Sequence, residues 1–238
     1  MTNHQGTGPG VEAVERALSL LQCFRTSNEQ LSLAELAQRS TLSKSTILRL
    51  SNSLMRKGFL DRNTVGRFIL GPELARLGKL TTAPLGLADI IRPALKRLSE
   101  QAQETASFYV RDGNERICLY RENAPRSARH HLEEGSRHPL GLGAAGLVLR
   151  AVGGDPSTQA QQVRDRGWAL SLGDRDPELA AVSCALRDRN GAVLGALTIS
   201  GLIGRFSPDA IERHVRHLTE QADRLSPSLQ RDMSPFMA

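Results

Sequence analysis

The amino-acid sequence predicts two domains of different fold class: a mainly α domain closed by a β-hairpin, then an α+β domain with an antiparallel sheet. Three observations carry this. Apolar residues recur at helical spacing from Val14 to Leu54, whereas from Thr105 the period changes to two, with Ala106, Phe108 and Val110 alternating with Ser107, Tyr109 and Arg111. The 238-residue length suits two modest domains, since one takes ~100 to 200 residues. Charge divides along the same line. Between Val11 and Leu80, 11 Lys and Arg face 6 Asp and Glu; from Thr81 onward 20 face 19, so nearly all of the net +6 lies in the first third.

Residues 1–10, MTNHQGTGPG, have neither the charged start nor the apolar core of a signal peptide and read as a flexible tail on a cytoplasmic protein. Val14, Ala17, Leu18, Leu21 and Phe24 then predict a helix from about Gly10 to Arg25. Ser32 and Glu35 have the spacing of a capping box, opening a second helix that runs to about Arg39. After the turn Ser40 to Ser43, Ser43 can cap a third helix reaching Lys57. On that helix Ile47, Leu50, Ser51 and Leu54 share one side, while Ser45, Arg49, Asn52 and Arg56 run along the other. The second face carries the hydroxyl, amide and guanidinium groups that pair with base edges and phosphates in a major groove. Gly58 ends the helix, Phe59-Leu60 and Phe68 to Leu70 read as two short strands, and Arg62 and Arg67 flank the turn between them. Residues 11–80 are thus expected to form a winged helix-turn-helix, with Arg62 and Arg67 near phosphates or a minor groove. The local positive surplus points to nucleic acid, and only 4% aromatic residues favours double-stranded DNA over a stacked single strand.

Pro72 to Gly78 predicts a helix leaving the wing, and Thr81 to Pro84 a linker. Leu87, Ile90, Ile91, Leu95 and Leu98 continue a helical stripe across Pro93, so a linker helix over residues 81–92 is expected to stop there and another to begin. The second domain, 93–238, opens with a hairpin turning at Asp112-Gly113-Asn114 and returning through Arg116 to Arg121. Ser127 to Glu133 reads as a further strand, and Gly135 to Ala151 as a loop passing into a short helix. Trp168 to Leu172, Leu179 to Leu186 and Val193 to Ser200 are more strands, the last two joined by a turn at Asp188 to Gly191. Ser207 and Pro208 start a closing helix with Ile211, Val215, Leu218, Ala222 and Leu225 on its seam. Such an antiparallel sheet with helices against one face is an α+β domain.

Several functions find no support in the sequence. No apolar run approaches the ~20 residues of a membrane span. Cys23, Cys118 and Cys184 form no CxxC or Cys/His cluster, and His130, His131, His214 and His217 lack ligand spacing, so neither a metal nor another cofactor is expected. There is no GxSxG, Walker loop, HExxH or GxGxxG, and no catalytic residue is assigned.

The segments VERALSLLQCF, LSLAELAQRSTLSKSTILRLSNSLMRKGFL and GRFILGPELARLGKL, in this order and spacing, resemble the winged-helix domain of IclR-type transcriptional regulators. The resemblance covers almost every residue from Val11 to Leu80. It implies DNA contacts at Lys44, Ser45, Thr46 and Arg49, with Asn52 following on the same outward face. Thr41 stands where the family usually has Gly. The later segments GSRHPLGLGAAGLVLRA and RDRGWALSLGDRDPELAAVSCALRDRNGAVLGALTISGLIGRF are similar to the family's GAF-like effector domain. By that likeness an effector pocket is expected at Leu140, Ala144, Ala145, Ser171, Leu179, Ala181, Thr198 and Ser200. Free N–H groups at the helix start Ala144-Ala145 would suit a carboxylate. Gly141 and Leu147 replace a His and a Lys common in the family. Only about 12 residues separate Ala151 from Val163, where the family places a helix and another strand, so a shortened domain is expected. The resemblance also implies a homodimer or a dimer of dimers on a pseudo-palindromic operator. The residues alone leave open a second domain that only dimerises or docks a partner, or an enzyme domain fused to a DNA-binding one.

Overall fold

The computed structural model describes residues 10–26, 28–80, 86–126 and 133–230, which divide into two units, 10–80 and 86–230. The first unit contains α1 (Glu12–Leu21), α2 (Leu33–Ser40), α3 (Lys44–Arg56), the strands β1 (Leu60–Arg62) and β2 (Phe68–Leu70), and α4 (Pro72–Leu80). Each of the two helices of the turn motif starts on a serine. Ser32 Oγ accepts from Glu35 N at 3.2 Å while the Glu35 carboxylate accepts from Ser32 N at 2.7 Å, and Ser43 Oγ accepts from Thr46 N at 3.3 Å. Between them Thr41 takes a left-handed φ of 58°. α3 ends as Gly58 N donates to Met55 O and Phe59 N to Leu54 O, with Gly58 at φ 74°, which satisfies two carbonyls of the last turn. α1 is shorter than the periodicity suggests, because beyond Leu21 the chain tightens into i→i+3 bonds from Cys23 and Phe24. Leu20, Leu31, Leu36, Ile47 and Phe68 form the core beneath these elements.

The second unit is organised on a six-stranded antiparallel sheet in the order β5-β4-β3-β8-β7-β6. Its strands are β3 (Thr105–Asp112), β4 (Glu115–Glu122), β5 (Arg137–Pro139), β6 (Trp168–Leu172), β7 (Leu179–Arg187) and β8 (Val193–Leu202). Both faces are covered, not one as expected. α5 (Leu87–Ala102) and α8 (Pro208–Leu225) bury Phe108, Val110, Val182, Leu197 and Ile199 on one side. α6 (Gly143–Val152) and α7 (Thr158–Arg166) cover Tyr109, Cys118, Ala169 and Ala196 on the other. This is why β3 is buried continuously from Thr105 to Val110 although its sequence alternates.

Four expectations change here. α5 runs unbroken through Pro93: Leu87, Ile91, Ala94, Leu95 and Leu98 make one buried stripe, and the exposed Pro93 and Asp89 leave the helix's missing bond on the solvated side. Residues 87–92 therefore belong to the core of the second unit and not to a linker helix. The strand expected at Ser127 to Glu133 lies, at 127–132, outside the described residues, whereas Arg137–Pro139, read as loop, is an edge strand pairing Glu115↔Pro139 and Ile117↔Arg137. The short connection after α6 still holds a helix, α7, capped by Ser157 and closed by Gly167 at φ 83°. Ser207 caps α8 as its sequence indicates, accepting from Ala210 N at 3.3 Å.

Candidate DNA interface and ligand pocket

The outward face of α3 is cationic and carries no acid. Lys44, Ser45, Arg49, Asn52 and Arg56 are exposed and Thr46 is half-buried, while Ile47 and Ser51 face the core. Elsewhere in this unit four guanidinium groups are held by acids: Arg16 by Glu12, Arg39 by Glu29, Arg67 by Glu35 and Arg76 by Glu73. Lys44, Arg49 and Arg56 form no such pair among the described residues, so the outward face of α3 carries three unpaired cations. Ser43 Oγ lies 3.1 Å from Ser45 Oγ and 2.9 Å from Thr46 Oγ1, which orients these hydroxyls at the helix start.

The wing separates its two arginines. Arg62 is exposed, with its guanidinium 4.3 Å from the centre of the Phe68 ring. Arg67 turns back from the tip instead of projecting outward. Its Nε donates to Gln30 O at 3.1 Å and its Nη2 to Glu35 at 2.6 Å, so it ties the wing to the start of α2. The hydrogen bonds from Ser32, and then the Arg67 cation, hold the Glu35 carboxyl down at about 2. We propose that Arg67, paired with Glu35, clamps the wing to α2 instead of meeting a phosphate.

In the second unit a cavity opens between the sheet and the start of α6. Its enclosed space is only about 50 Å³, and about 460 Å³ when the mouth open to solvent is counted. Ala144, Ala145, Ser171, Leu179, Ala181, Thr198 and Ser200 all line it, seven of the eight positions expected. The register explains their convergence. Ser171 pairs with Ala181 and Ala181 with Ser200, placing three small side chains in a row across β6, β7 and β8. Thr198, two residues from Ser200 on β8, shares its face, with its hydroxyl 2.9 Å from Ser183 Oγ. Leu140 is the exception: it is buried in the apolar cluster under α6 and does not line this cavity.

The wall also contains residues that the sequence reading left out, among them Tyr109, Arg116, Gly143, Arg175 and Asp176. Arg116 belongs to the stretch after Thr81 whose cations are balanced by acids, yet it is only 4% exposed. Its place two residues before Cys118 on β4 is the available signal, since both fall on the covered face of the sheet. Arg116 Nη1 donates to Leu142 O at 2.7 Å and to Pro139 O, and its guanidinium lies 5.6 Å from the Tyr109 ring centre. Burial pushes this guanidinium below its ordinary pKa, Tyr109 opposes the shift and the Arg175 cation adds to it. Tyr109 is itself pushed up to about 12 by burial. At the helix start Leu142 supplies no side-chain cap, so the first N–H groups of α6 face the cavity end without an intrahelical acceptor.

A serine-capped two-helix motif, an acid-free cationic helix and a wing define a DNA-binding regulator of the helix-turn-helix class. Comparison with known proteins gives the particular lineage. The model of the IclR helix-turn-helix domain matches residues 13–64, and that of the C-terminal domain of the bacterial transcriptional regulator IclR matches 80–161 and 157–227. The chain belongs to the IclR family of transcriptional regulators. The HTH-type transcriptional regulator KipR of Bacillus subtilis is 24% identical over 235 residues, covering 88% of this chain and 92% of that protein. Among solved structures, an IclR transcriptional regulator from Alicyclobacillus acidocaldarius superposes with a TM-score of 0.78 at 23% identity, covering 92% of this chain and 98% of the other. An IclR homologue from Microbacterium hydrocarbonoxydans, solved with 4-hydroxybenzoate, gives 0.73 at 19% identity, covering 90% and 97%. These relatives are regulators and not enzymes. No helix among the described residues is long and apolar enough to cross a membrane.

Proposed function

We propose that this chain is a cytoplasmic regulator that reads a pseudo-palindromic operator as a homodimer or dimer of dimers, and that a small organic carboxylate in the α6 cavity alters its operator affinity. The observation that supports this best is the cavity itself, in which seven positions expected from the resemblance converge on an uncapped helix start. The related regulator solved with 4-hydroxybenzoate supports an acid of that size. On the DNA side Lys44, Ser45, Thr46, Arg49 and Asn52 meet the major groove and Arg62 meets a phosphate. Effector and operator are coupled through the arrangement of the protomers, each biasing the same equilibrium.

Fluorescence anisotropy of the full chain tests the DNA half. DNA from upstream of its own gene is compared with scrambled DNA at two salt concentrations. Specific reading predicts tighter binding to the upstream DNA that survives the higher salt. Equal and equally salt-sensitive binding to both would contradict it.

A further inference from the structure

The start of α6 and the Arg116 guanidinium bring two positive fields to one buried place. A helix N-terminus carries roughly half a positive charge, and this one has no side-chain cap. Arg116 Nη2 lies 3.4 Å from where a Cβ on Gly143 would stand, and Nη1 2.8 Å from where one on Gly146 would stand. At Gly143 that distance is ordinary van der Waals contact, but a Cβ at Gly146 would also meet Leu140 O at 2.4 Å, so this one glycine keeps room for the Leu140 carbonyl and the guanidinium beneath the helix. Gly143 also has φ 76°, which favours glycine at that position. Arg116 forms no ion pair among the described residues. Its Nη1 is spent on the carbonyls of Pro139 and Leu142, and its buried Nε has no hydrogen-bond partner. Asp176, also on the cavity wall, accepts from Glu178 N at 3.0 Å and makes no hydrogen bond or ion pair with Arg116. A buried cation beside a positive helix end is costly unless an anion joins it.

We propose that Arg116 is the effector's counter-ion and the residue that sets the charge of the ligand. The cavity then takes a compact monocarboxylate with its anionic end between Arg116 and the first N–H groups of α6. The hydroxyls of Ser171, Thr198 and Ser200 line the same cavity, so a hydroxyl or oxo group elsewhere on the acid has partners. This assignment rests on the effector reading above and adds a residue to it.

The test uses the full chain, with pyruvate, 4-hydroxybenzoate and their neutral amides as probes at constant ionic strength, read by calorimetry and thermal melting. The acids are expected to bind and raise the melting temperature of the unaltered chain, and the amides to do neither. Arg116→Gln should weaken acid binding by roughly tenfold or more, as loss of a charged hydrogen-bond partner does. Arg116→Lys keeps the charge and should retain the preference for acid over amide with weaker binding; it carries the test if Arg116→Gln does not fold by circular dichroism. Equal binding of acids and amides, or undiminished acid binding by a folded Arg116→Gln, would overturn the role of Arg116 while leaving an effector site in place. Failure of the unaltered chain to bind any probe would overturn both this role and the effector reading.

Discussion

Arg49 and Arg67 show how much a single partner decides. Both are arginines of the first unit, but Arg67 spends its charge on Glu35 whereas Arg49 meets no acid. If Arg49 forks onto a guanine edge, Arg49→Ala costs about 1 to 3 kcal/mol and relaxes base preference at one position per half-site, as binding to a library of operator variants will show. Arg62→Ala should lower the salt slope of binding by about one unit, while Arg67→Ala leaves the slope nearly unchanged and lowers stability instead. Parallel salt titrations and melts of the two variants check this; a slope change for Arg67→Ala alone would return it to the DNA surface. His214 is a different case. It is buried 5.1 Å from the Phe206 ring centre, and burial, with Arg213 and His217 nearby, pushes its pKa down to about 4. The folded state therefore prefers the neutral ring, while the unfolded chain takes up a proton near the ordinary value of 6.5. The stability from this preference is complete above that value and is lost as pH falls from 6.5 towards 4. His214→Leu should flatten that part of the pH-stability curve, and an unchanged curve would count against it.

Elements whose ends are marked by side chains were legible in the sequence. The Ser32-Glu35 box, Ser43, Gly58 and the Ser207-Pro208 start all appear where their spacing puts them, because capping is a local interaction. Thr41 is the strained member of this series. A β-branched residue in left-handed backbone is disfavoured by roughly 1 to 2 kcal/mol, so Thr41→Gly should raise stability by about 0.5 to 1 kcal/mol in denaturant unfolding of the full chain. No gain would mean that the Thr41 Oγ1 to Ser40 O bond offsets the strain. What was not legible depended on the other side of the sheet. Within β3 and β4 only Tyr109 and Cys118 hint that α6 and α7 cover the face opposite α5 and α8, and without that cover Arg116 reads as solvated. β5 has three residues, one of them proline, too few for a period. α7 buries only Ala160 and Val163, which leaves almost no apolar stripe to detect. The unbroken α5 is the reverse case: its apolar stripe is visible in the sequence, and a proline at a solvated position does not end it. Seven of the expected positions line one cavity because five lie on the neighbouring strands β6, β7 and β8 and two at the start of α6, whereas Leu140 belongs to the packing behind them.

At the scale of the whole molecule the two units have divided their chemistry. Three unpaired cations line α3 in the first, and in the second an uncapped helix start and a buried arginine share one cavity wall. Regulation requires that these two sites bias one equilibrium, and such coupling is reciprocal. The most direct measurement is an anisotropy titration of the full chain with labelled upstream DNA, in the presence and absence of 4-hydroxybenzoate or pyruvate at fixed ionic strength, alongside calorimetry of the acid with and without that DNA. The acid is expected to change operator affinity by roughly fivefold or more, and the operator to change acid affinity by the same factor. Acid binding in the cavity with operator affinity unchanged would contradict it.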